Sequence, residues 1–208
     1  MKIEELKKYQ NRVKKWQSVI IKKDRYNMEQ NTMIKFVIPL LEILGWSRLY
    51  QEMEFEYRVK GFKKGRVDIA LFTDKSRKPR TFVEVKPITG ATSGLEKATQ
   101  LLGYLKKTPV KYGIYTNGKE IRVIGKQGVR DGFLPTTLFH LRAEDFVKNK
   151  DILGLLSKIS VAKEVLDKLA VNFQKNFCRW KKQNKTQHKN NKTDYELRLM
   201  YAHQRLKE

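Results

Sequence analysis

The hydrophobic positions of this chain follow two periods, one of about 3.6 residues and one of two, which predict helices and strands respectively. Helical spacing indicates an amphipathic helix over 1–26 and a second helix over 28–44, with Asn27 as its N-cap and Gly45 just beyond its end. Pro39 lies inside the second pattern and is expected to kink that helix or to shift its start. The first helix is rich in lysine, which fits a face docked on the core or a contact with DNA, and we favour the docked face.

Three consecutive segments alternate apolar and polar residues and are predicted to be strands. They cover 53–59, 66–72 and 81–86, and short connections between them favour an antiparallel meander. A helix predicted over 95–107 separates the third strand from another over 110–116. Such a crossover predicts that the third and fourth strands are parallel and that their connection is right-handed.

The remainder of the chain is predicted to be mostly helical. Asn117-Gly118 marks a turn into a strand at 120–125. The later elements are a short strand near 137–141, helices over 143–156 and 160–182, a polar linker over 183–192 and a closing helix over 193–207. Together these elements predict an α/β protein with a mixed sheet of the α+β kind, with a core over 1–158 and a helical extension over 159–208.

The net charge of the chain indicates what kind of partner the protein binds. Lys and Arg number 45 against 22 Asp and Glu, which gives a formal charge of +23. A basic excess of this size favours a polyanionic partner, because each neutralised phosphate releases counterions, and DNA is the expected one. A ribosome-associated protein and a general lysine bias are the alternatives.

The C-terminal extension carries part of this charge. Its fifty residues hold twelve basic and five acidic side chains, so it supplies +7 and the rest of the chain +16. Aromatic residues are interleaved with the basic ones, and the extension is interpreted as an additional DNA contact or as a partly disordered, solvated segment. The candidate nucleic-acid-binding residues are Lys175, Arg179, Lys181, Lys182 and Lys185.

Other features of the composition exclude several classes of protein. Cys178 is the only cysteine, which rules out an intramolecular disulfide and a zinc site with several thiolates. The histidines His140, His188 and His203 are too scattered to predict a ligand cluster. Since no apolar run is long enough to span a membrane, no membrane contact and a cytoplasmic location are expected.

The strand at 81–86 contains the first candidate chemistry. Alternation places Glu84 and Lys86 on one face and Val83 and Val85 on the other. Charges near a sheet core are costly unless they are compensated, and a divalent cation is one such compensation. Asp68 on the preceding strand supplies a second carboxylate. A surface ion pair between Glu84 and Lys86 is the alternative, which the flanking apolar residues disfavour.

These residue types suit a metal-dependent hydrolase of phosphodiesters. Asp68 and Glu84 provide hard oxygen ligands, which favour Mg²⁺ or Mn²⁺ over zinc, and the carbonyl of Val85 could add a backbone ligand. A bound divalent ion stabilises charge on phosphate oxygens and lowers the pKa of coordinated water. Lys86 could hold or polarise that water, or neutralise charge in the transition state.

Three further residues are open to two interpretations. Gln100 and Tyr104 are four apart and are expected to point away from the buried stripe of their helix, toward solvent or toward a site above the sheet. Glu29 falls in the first turn of the second helix, where the helix dipole favours an acid regardless of function.

At this point the sequence resembles the PD-(D/E)xK nuclease superfamily, and most closely the N-terminal nuclease domain of type I restriction enzyme R subunits. The resemblance covers about residues 27–125. The matching segments are 29–32, 38–46, 65–68, 82–86, Gln100 with Tyr104, and 112–118.

The resemblance implies a restriction-endonuclease-like core with flanking helices and a Mg²⁺-dependent DNA endonuclease activity. It makes Asp68, Glu84 and Lys86 the catalytic set and Glu29 an accessory metal-site residue. It also places Gln100 and Tyr104 beside the active site, where they would position DNA or water.

The chain also departs from that family. It has no Walker-type Gly-x-x-x-x-Gly-Lys-Ser/Thr loop, so a free-standing nuclease without an ATP-driven motor is expected. A non-catalytic DNA- or junction-binding protein with the same fold, and an RNA-associated protein, are the alternatives. A homodimer would provide two centres for cutting both strands.

Overall fold

A six-stranded mixed sheet organises the chain, and its strands lie side by side in the order of the sequence. The computed structural model describes residues 2–20, 28–63, 65–73, 78–90, 92, 98–129, 132–171, 173–184 and 194–207. The strands are β1 Met53–Arg58, β2 Arg66–Leu71, β3 Thr81–Val85, β4 Tyr112–Thr116, β5 Glu120–Val129 and β6 Gly132–Arg142. Among the strands that the structure describes, β3 and β4 form the one parallel pair and the other neighbouring pairs are antiparallel. The predicted α+β fold with a mixed sheet is confirmed, as are the β1–β3 meander and the parallel β3–β4 pair.

Helices cover both faces of this sheet. They are α1 Ile3–Ile20, α2 Glu29–Thr32, α3 Ile38–Ile43, α4 Thr99–Lys107, α5 Lys150–Gly154, α6 Lys158–Ala162, α7 Val165–Ala170, α8 Phe173–Gln183 and α9 Asp194–Lys207. A π-helical stretch, Met33–Val37, joins α2 to α3, and a 3-10 turn, Ala143–Asp145, follows β6. None of the helices in the described segments is long and apolar enough to cross a membrane.

Two hydrophobic clusters lie on opposite faces of the sheet. The larger cluster packs α1, α3 and the C-terminal helices against one face, and the smaller one packs α4 against the other. Leu6, Tyr9 and Val13 of α1 are buried in the larger cluster, and the Tyr9 hydroxyl donates to the carbonyl of Gly118. The docked face predicted for this helix is therefore confirmed, while residues 21–27 lie outside the described segments.

Pro39 affects its helix differently from either expected outcome. The helix continues through it, but the backbone from Met33 to Val37 adopts the π form. A proline has no N–H to donate and its ring crowds the carbonyl four residues earlier. The wider π turn moves that carbonyl away, so the chain accommodates Pro39 without a break.

Three predictions for the segment after β4 were wrong. The short strands predicted over 120–125 and near 137–141 are instead parts of a long hairpin, in which β5 runs to Val129 and β6 begins at Gly132. The predicted helix at 143–156 is reduced to the 3-10 turn and the short α5. The predicted helix at 160–182 is divided into α6, α7 and α8. Glu164 adopts the left-handed conformation with a φ of 55°, which separates α6 from α7, and the non-helical ψ of 114° at Val171 ends α7.

The extension packs on the body of the protein. Side chains of α7, α8 and α9, among them Leu166, Phe173 and Tyr201, are buried in the same cluster as α1 and α3. Arg198 on α9 donates to the carbonyl of Thr137 on β6 at 2.8 Å, which ties α9 to the edge of the sheet. Most of the linker predicted at 183–192 lies outside the described residues.

The close approach of Gly118 to the helical layer generates a prediction about stability. Its φ is +80°, and a Cβ added there would lie 2.7 Å from the Cβ of Phe36. We expect Gly118→Ala to lower the free energy of unfolding by about 2 kcal/mol, because both the left-handed backbone and the contact become unfavourable. Urea denaturation measures this difference.

Gly103→Ala is the matched control. Gly103 lies on α4, and a Cβ there would meet no atom within 4 Å. This substitution should raise the free energy of unfolding by up to about 1 kcal/mol through helix propensity. Equal effects of the two substitutions would contradict the assigned packing of Gly118.

Candidate active site

Glu84 and Lys86 lie where β3 reaches its carboxyl end. Val83 and Val85 are buried in the larger cluster, so Glu84 faces the opposite side, as alternation predicted. Glu84 is 3% exposed, which makes it a buried carboxylate. Directly after the strand, the backbone amide of Lys86 donates to the carbonyl of Thr116 at 2.8 Å and continues the pairing with β4.

Asp68 lies at a level where the β1–β2 ladder skips one pair and the β2–β3 ladder ends. The β1–β2 register passes from Phe55–Ile69 to Tyr57–Val67 and skips the pair of Glu56 with Asp68. The β2–β3 ladder ends one residue earlier, at Ile69 opposite Val83. In place of a backbone acceptor, the Asp68 carboxylate accepts a hydrogen bond from the amide of Val85 at 2.6 Å.

Glu56 shows why the first ladder opens. Its φ is 51°, in the left-handed region that a non-glycine residue rarely adopts. This conformation interrupts the extended backbone at one residue, so the pair of Glu56 with Asp68 is missing, and the pairing resumes in the same register at Tyr57 and Val67. Such local strain, of the order of 1 kcal/mol, often accompanies functional sites.

Lys86 connects the carboxylates of two elements. Its Nζ lies 3.0 Å from Oε1 of Glu84 and 3.3 Å from Oε1 of Glu29. Glu29 is in the first turn of α2 and its side chain is about half exposed. The structure therefore brings Glu29, Asp68, Glu84 and Lys86 together, as the sequence predicted, although their chemical roles remain predictions.

Burial and repulsion by nearby carboxylates raise the pKa values of the carboxyl groups of Asp68 and Glu84. Burial, followed by the nearby charge of Asp68, raises the pKa of Glu84 to about 7 against the opposing effect of Lys86. Burial also raises the pKa of Asp68, opposed by the Val85 amide and by Lys86. For Lys86, burial lowers the pKa, but the two glutamates outweigh it and the net shift is upward. Lys86 consequently stays protonated.

The donor set fits a divalent cation at one specific atom. Oε2 of Glu84 is buried and has no hydrogen-bond partner among the described residues. A buried carboxylate oxygen without a partner is unfavourable, and a cation would satisfy it. Asp68 and Glu84 could be ligands, with Glu29 and the Val85 carbonyl as additional candidates. The described side chains include no group of three or more His, Cys, Asp or Glu residues arranged as a metal cage.

Gln100 and Tyr104 are attached to the strand that carries Asp68. The Tyr104 hydroxyl and Gln100 Nε2 both donate to the carbonyl of Arg66, at 2.9 Å and 3.1 Å. Gln100 Nε2 also lies 2.9 Å from the Tyr104 hydroxyl. Arg66 begins β2, two residues before Asp68, so this pair contacts the backbone next to the site.

The expected orientation of Tyr104 was wrong. Its ring is buried in the smaller cluster, 6.5 Å from the ring of Phe82, and only its hydroxyl reaches the backbone polar groups. The buried positions of α4 are Leu101, Tyr104 and Leu105, whereas Leu102 is only partly buried. An amphipathic tyrosine can occupy a core position while its hydroxyl is hydrogen-bonded, which the periodicity of the sequence does not reveal.

Tyr115 belongs to this neighbourhood and was not predicted. It lies opposite Glu84 in the parallel β3–β4 register, so both side chains share a face. Burial raises the pKa of its phenol, which the charges of Lys86, Glu84 and Glu29 also affect. The predicted parallel pairing of these strands was a signal that could have identified Tyr115.

The predicted DNA contacts of the extension lie apart from these residues. Lys175, Arg179, Lys181 and Lys182 are exposed on α8, and Lys185 lies outside the described residues. α8 packs against α9, which contacts β6 at the opposite edge of the sheet from β1. β4 and β5 separate β6 from β3, which corresponds to about 14 Å of sheet.

Comparison with known proteins gives two matches. Residues 29–134 match the family model described as type I restriction enzyme R protein N terminus. A chain of a solved structure titled "cryoEM structure DrdV-DNA complex" has a similar fold, with 14% sequence identity and a TM-score of 0.50. That likeness covers 74% of this chain and 96% of the other. Among curated proteins, no sequence matches.

The raised pKa of Glu84 predicts a pH-dependent stability without metal. The folded chain holds this proton more tightly than the unfolded chain, so Glu84 contributes stability below about pH 4.5 that is lost as the pH rises through about 7. Glu84→Gln abolishes this titration. Measured by urea denaturation in EDTA, its free energy of unfolding relative to wild type should be about 2 kcal/mol more favourable at about pH 8 than at about pH 5.

Glu54→Gln is the control, because Glu54 is an exposed carboxylate on β1. Its stability relative to wild type should change little between the two pH values. If Glu84→Gln and Glu54→Gln behave alike, then Glu84 is not buried as described.

Proposed function

The chain belongs to the family of type I restriction enzyme R protein N-termini, and from this premise we propose that it is a Mg²⁺-dependent DNA endonuclease. The observation that carries the proposal is the meeting of Asp68, Glu84 and Lys86 where the strand ladders open. The orphaned oxygen of Glu84 supports a bound cation at the same point.

The proposed reaction is hydrolysis of a phosphodiester, in which water attacks phosphorus and the bond to the leaving oxygen breaks. Asp68 and Glu84 would hold Mg²⁺ or Mn²⁺, with the Val85 carbonyl and Glu29 as further ligands. When bound, the ion supplies Lewis acidity at phosphate oxygen and a more acidic water.

Lys86 has the clearest role among the protein's own groups. The glutamates beside it keep Nζ protonated, so it is suited to stabilise negative charge on the phosphate rather than to remove a proton from water. Glu29 and Glu84 aim this ammonium, since each accepts a hydrogen bond from it. Gln100 and Tyr104 would act indirectly, by fixing the backbone that precedes Asp68.

Single substitutions test the catalytic set. Asp68→Asn and Lys86→Ala should each reduce cleavage of plasmid DNA in Mg²⁺ by about 100-fold or more, because each removes charge that the transition state needs. The rates are followed by gel electrophoresis, with EDTA as the metal-free reference. DNA binding should persist in both variants.

Lys106→Ala is the control for loss of a lysine, because Lys106 is exposed on α4. It should cleave at the wild-type rate. Wild-type cleavage by Lys86→Ala would reject the proposed role of Lys86. A wild-type protein that binds DNA but cuts none in Mg²⁺ or Mn²⁺ would instead be a non-catalytic DNA- or junction-binding protein.

DNA binding is supported by the family and by the basic charge of +23. We propose that the exposed basic residues of α8 form a second contact with DNA, remote from the catalytic set. The double variant Lys175→Gln/Arg179→Gln should therefore reduce the slope of log affinity against log salt by about 2, since two phosphate contacts are lost. Fluorescence anisotropy with a labelled duplex in EDTA measures the slope.

The control for this experiment is Lys148→Gln/Lys150→Gln, which removes the same charge. Lys150 lines a cavity with Ile43 and Gly45, at the far end of the helix that begins with Glu29. If both double variants give the same slope, α8 does not contact DNA.

Two features of the proposed enzyme concern its organisation. The sequence contains no Walker-type loop, so the proposed cleavage requires no ATP-driven translocation. Cutting both strands of a duplex requires two centres or two events, and a homodimer is proposed as the source of two centres.

A further inference from the structure

The turn that joins β1 to β2 presents a basic surface beside the catalytic set. We propose that residues 58–63, 65 and 66, here named the hairpin tip, hold the phosphate backbone of duplex DNA next to Lys86. The inference rests on the proposed function and specifies where its substrate would be held.

The position of the hairpin tip follows from strand register. β2 and β3 are antiparallel with Ile69 opposite Val83, so the beginning of β2, where the hairpin tip joins it, lies at the same end of the sheet as the carboxyl end of β3. The residues of the tip therefore extend past the carboxyl end of β3. Because a strand rises about 3.3 Å per residue, Arg66 lies about 7 Å along β2 from Asp68. A phosphate chain that reaches Lys86 would continue directly onto the tip.

The charge of the tip suits that partner. Its eight residues include four Lys or Arg and no acid. Arg58, Lys60, Lys63 and Arg66 are exposed. Across the segments that the structure describes, these four side chains form no ion pair, unlike Lys86, Lys111 and Lys158. A group of exposed cations that no carboxylate pairs with attracts phosphate and releases its counterions on binding.

An aromatic contact fixes the tip on the body of the protein. The ring of Phe62 packs edge-on against Tyr104, with centroids 4.9 Å apart, and Lys107 Nζ lies 4.8 Å from the Phe62 centroid. Gly65 permits this contact, because a Cβ there would lie 2.5 Å from the Cβ of Phe62. The amide of Val59 also donates to the carbonyl of Gly65 at 3.0 Å.

The same contact connects the tip to the catalytic strand. Tyr104 packs against Phe62 through its ring and binds the Arg66 carbonyl through its hydroxyl, and Gln100 binds that carbonyl as well. The backbone that carries Lys60 and Lys63 is thereby fixed relative to Asp68. Such preorganisation reduces the entropy lost on binding and keeps the substrate aligned with the reacting groups.

The test removes two charges from the tip without disturbing its packing. Lys60→Gln/Lys63→Gln alters two exposed side chains. Lys148→Gln/Lys150→Gln removes the same charge in and just before α5, which packs in the larger cluster, whereas Phe62 of the tip packs in the smaller one. Affinity for a labelled duplex is measured by anisotropy in EDTA over a range of sodium chloride concentrations. The tip variant should reduce the slope of log affinity against log salt by about 2, while the control keeps the wild-type slope.

The outcomes separate this inference from the proposed function. Equal slopes for the tip variant and the control overturn the hairpin tip as a DNA contact, and Mg²⁺-dependent cleavage by the wild type would still stand. A reduced slope in the tip variant supports the inference even if the wild type cuts no DNA, because binding in EDTA requires no cleavage.

Discussion

The hydrogen bond from the Val85 amide to the Asp68 carboxylate allows the sheet to open without an unpaired buried amide. In an uninterrupted ladder, a backbone carbonyl of β2 would accept from β3 at this level. Here the side chain takes that place, so the backbones of β2 and β3 can part at Glu84 while β3 stays paired with β4 as far as the Lys86 amide. The carboxylate therefore has a structural function that is independent of any metal.

The local charge of the site is opposite to that of the whole chain. Asp68, Glu84 and Glu29 surround Lys86, although the protein carries an excess of 23 positive charges. Negative charge would repel DNA, but a divalent ion bound by the acids would reverse its sign. The acidic site would therefore not repel DNA once it held a divalent ion. A basic surface elsewhere on the protein could then attract the duplex without conflict.

Sequence patterns predicted the site better than its surroundings. Alternation and charge identified Asp68, Glu84 and Lys86 because a strand places every second residue on one face. The same patterns could not show that the Tyr104 ring is buried, since tyrosine is compatible with both core and surface positions. They also could not show that Glu164 adopts a left-handed backbone and divides a long helix. The left-handed backbone of Glu56 could not be predicted either, because a glutamate is also compatible with an ordinary exposed strand position.

The distortion at Glu56 also affects how the edge strand β1 can pair with other molecules. Among the described strands β1 pairs only with β2, so its outer backbone groups could template a strand of another molecule. Glu54, Glu56 and Arg58 place charges along this edge, and the left-handed residue interrupts its extended backbone. The irregularity that opens the ladder at Asp68 therefore also protects the protein from edge-to-edge aggregation.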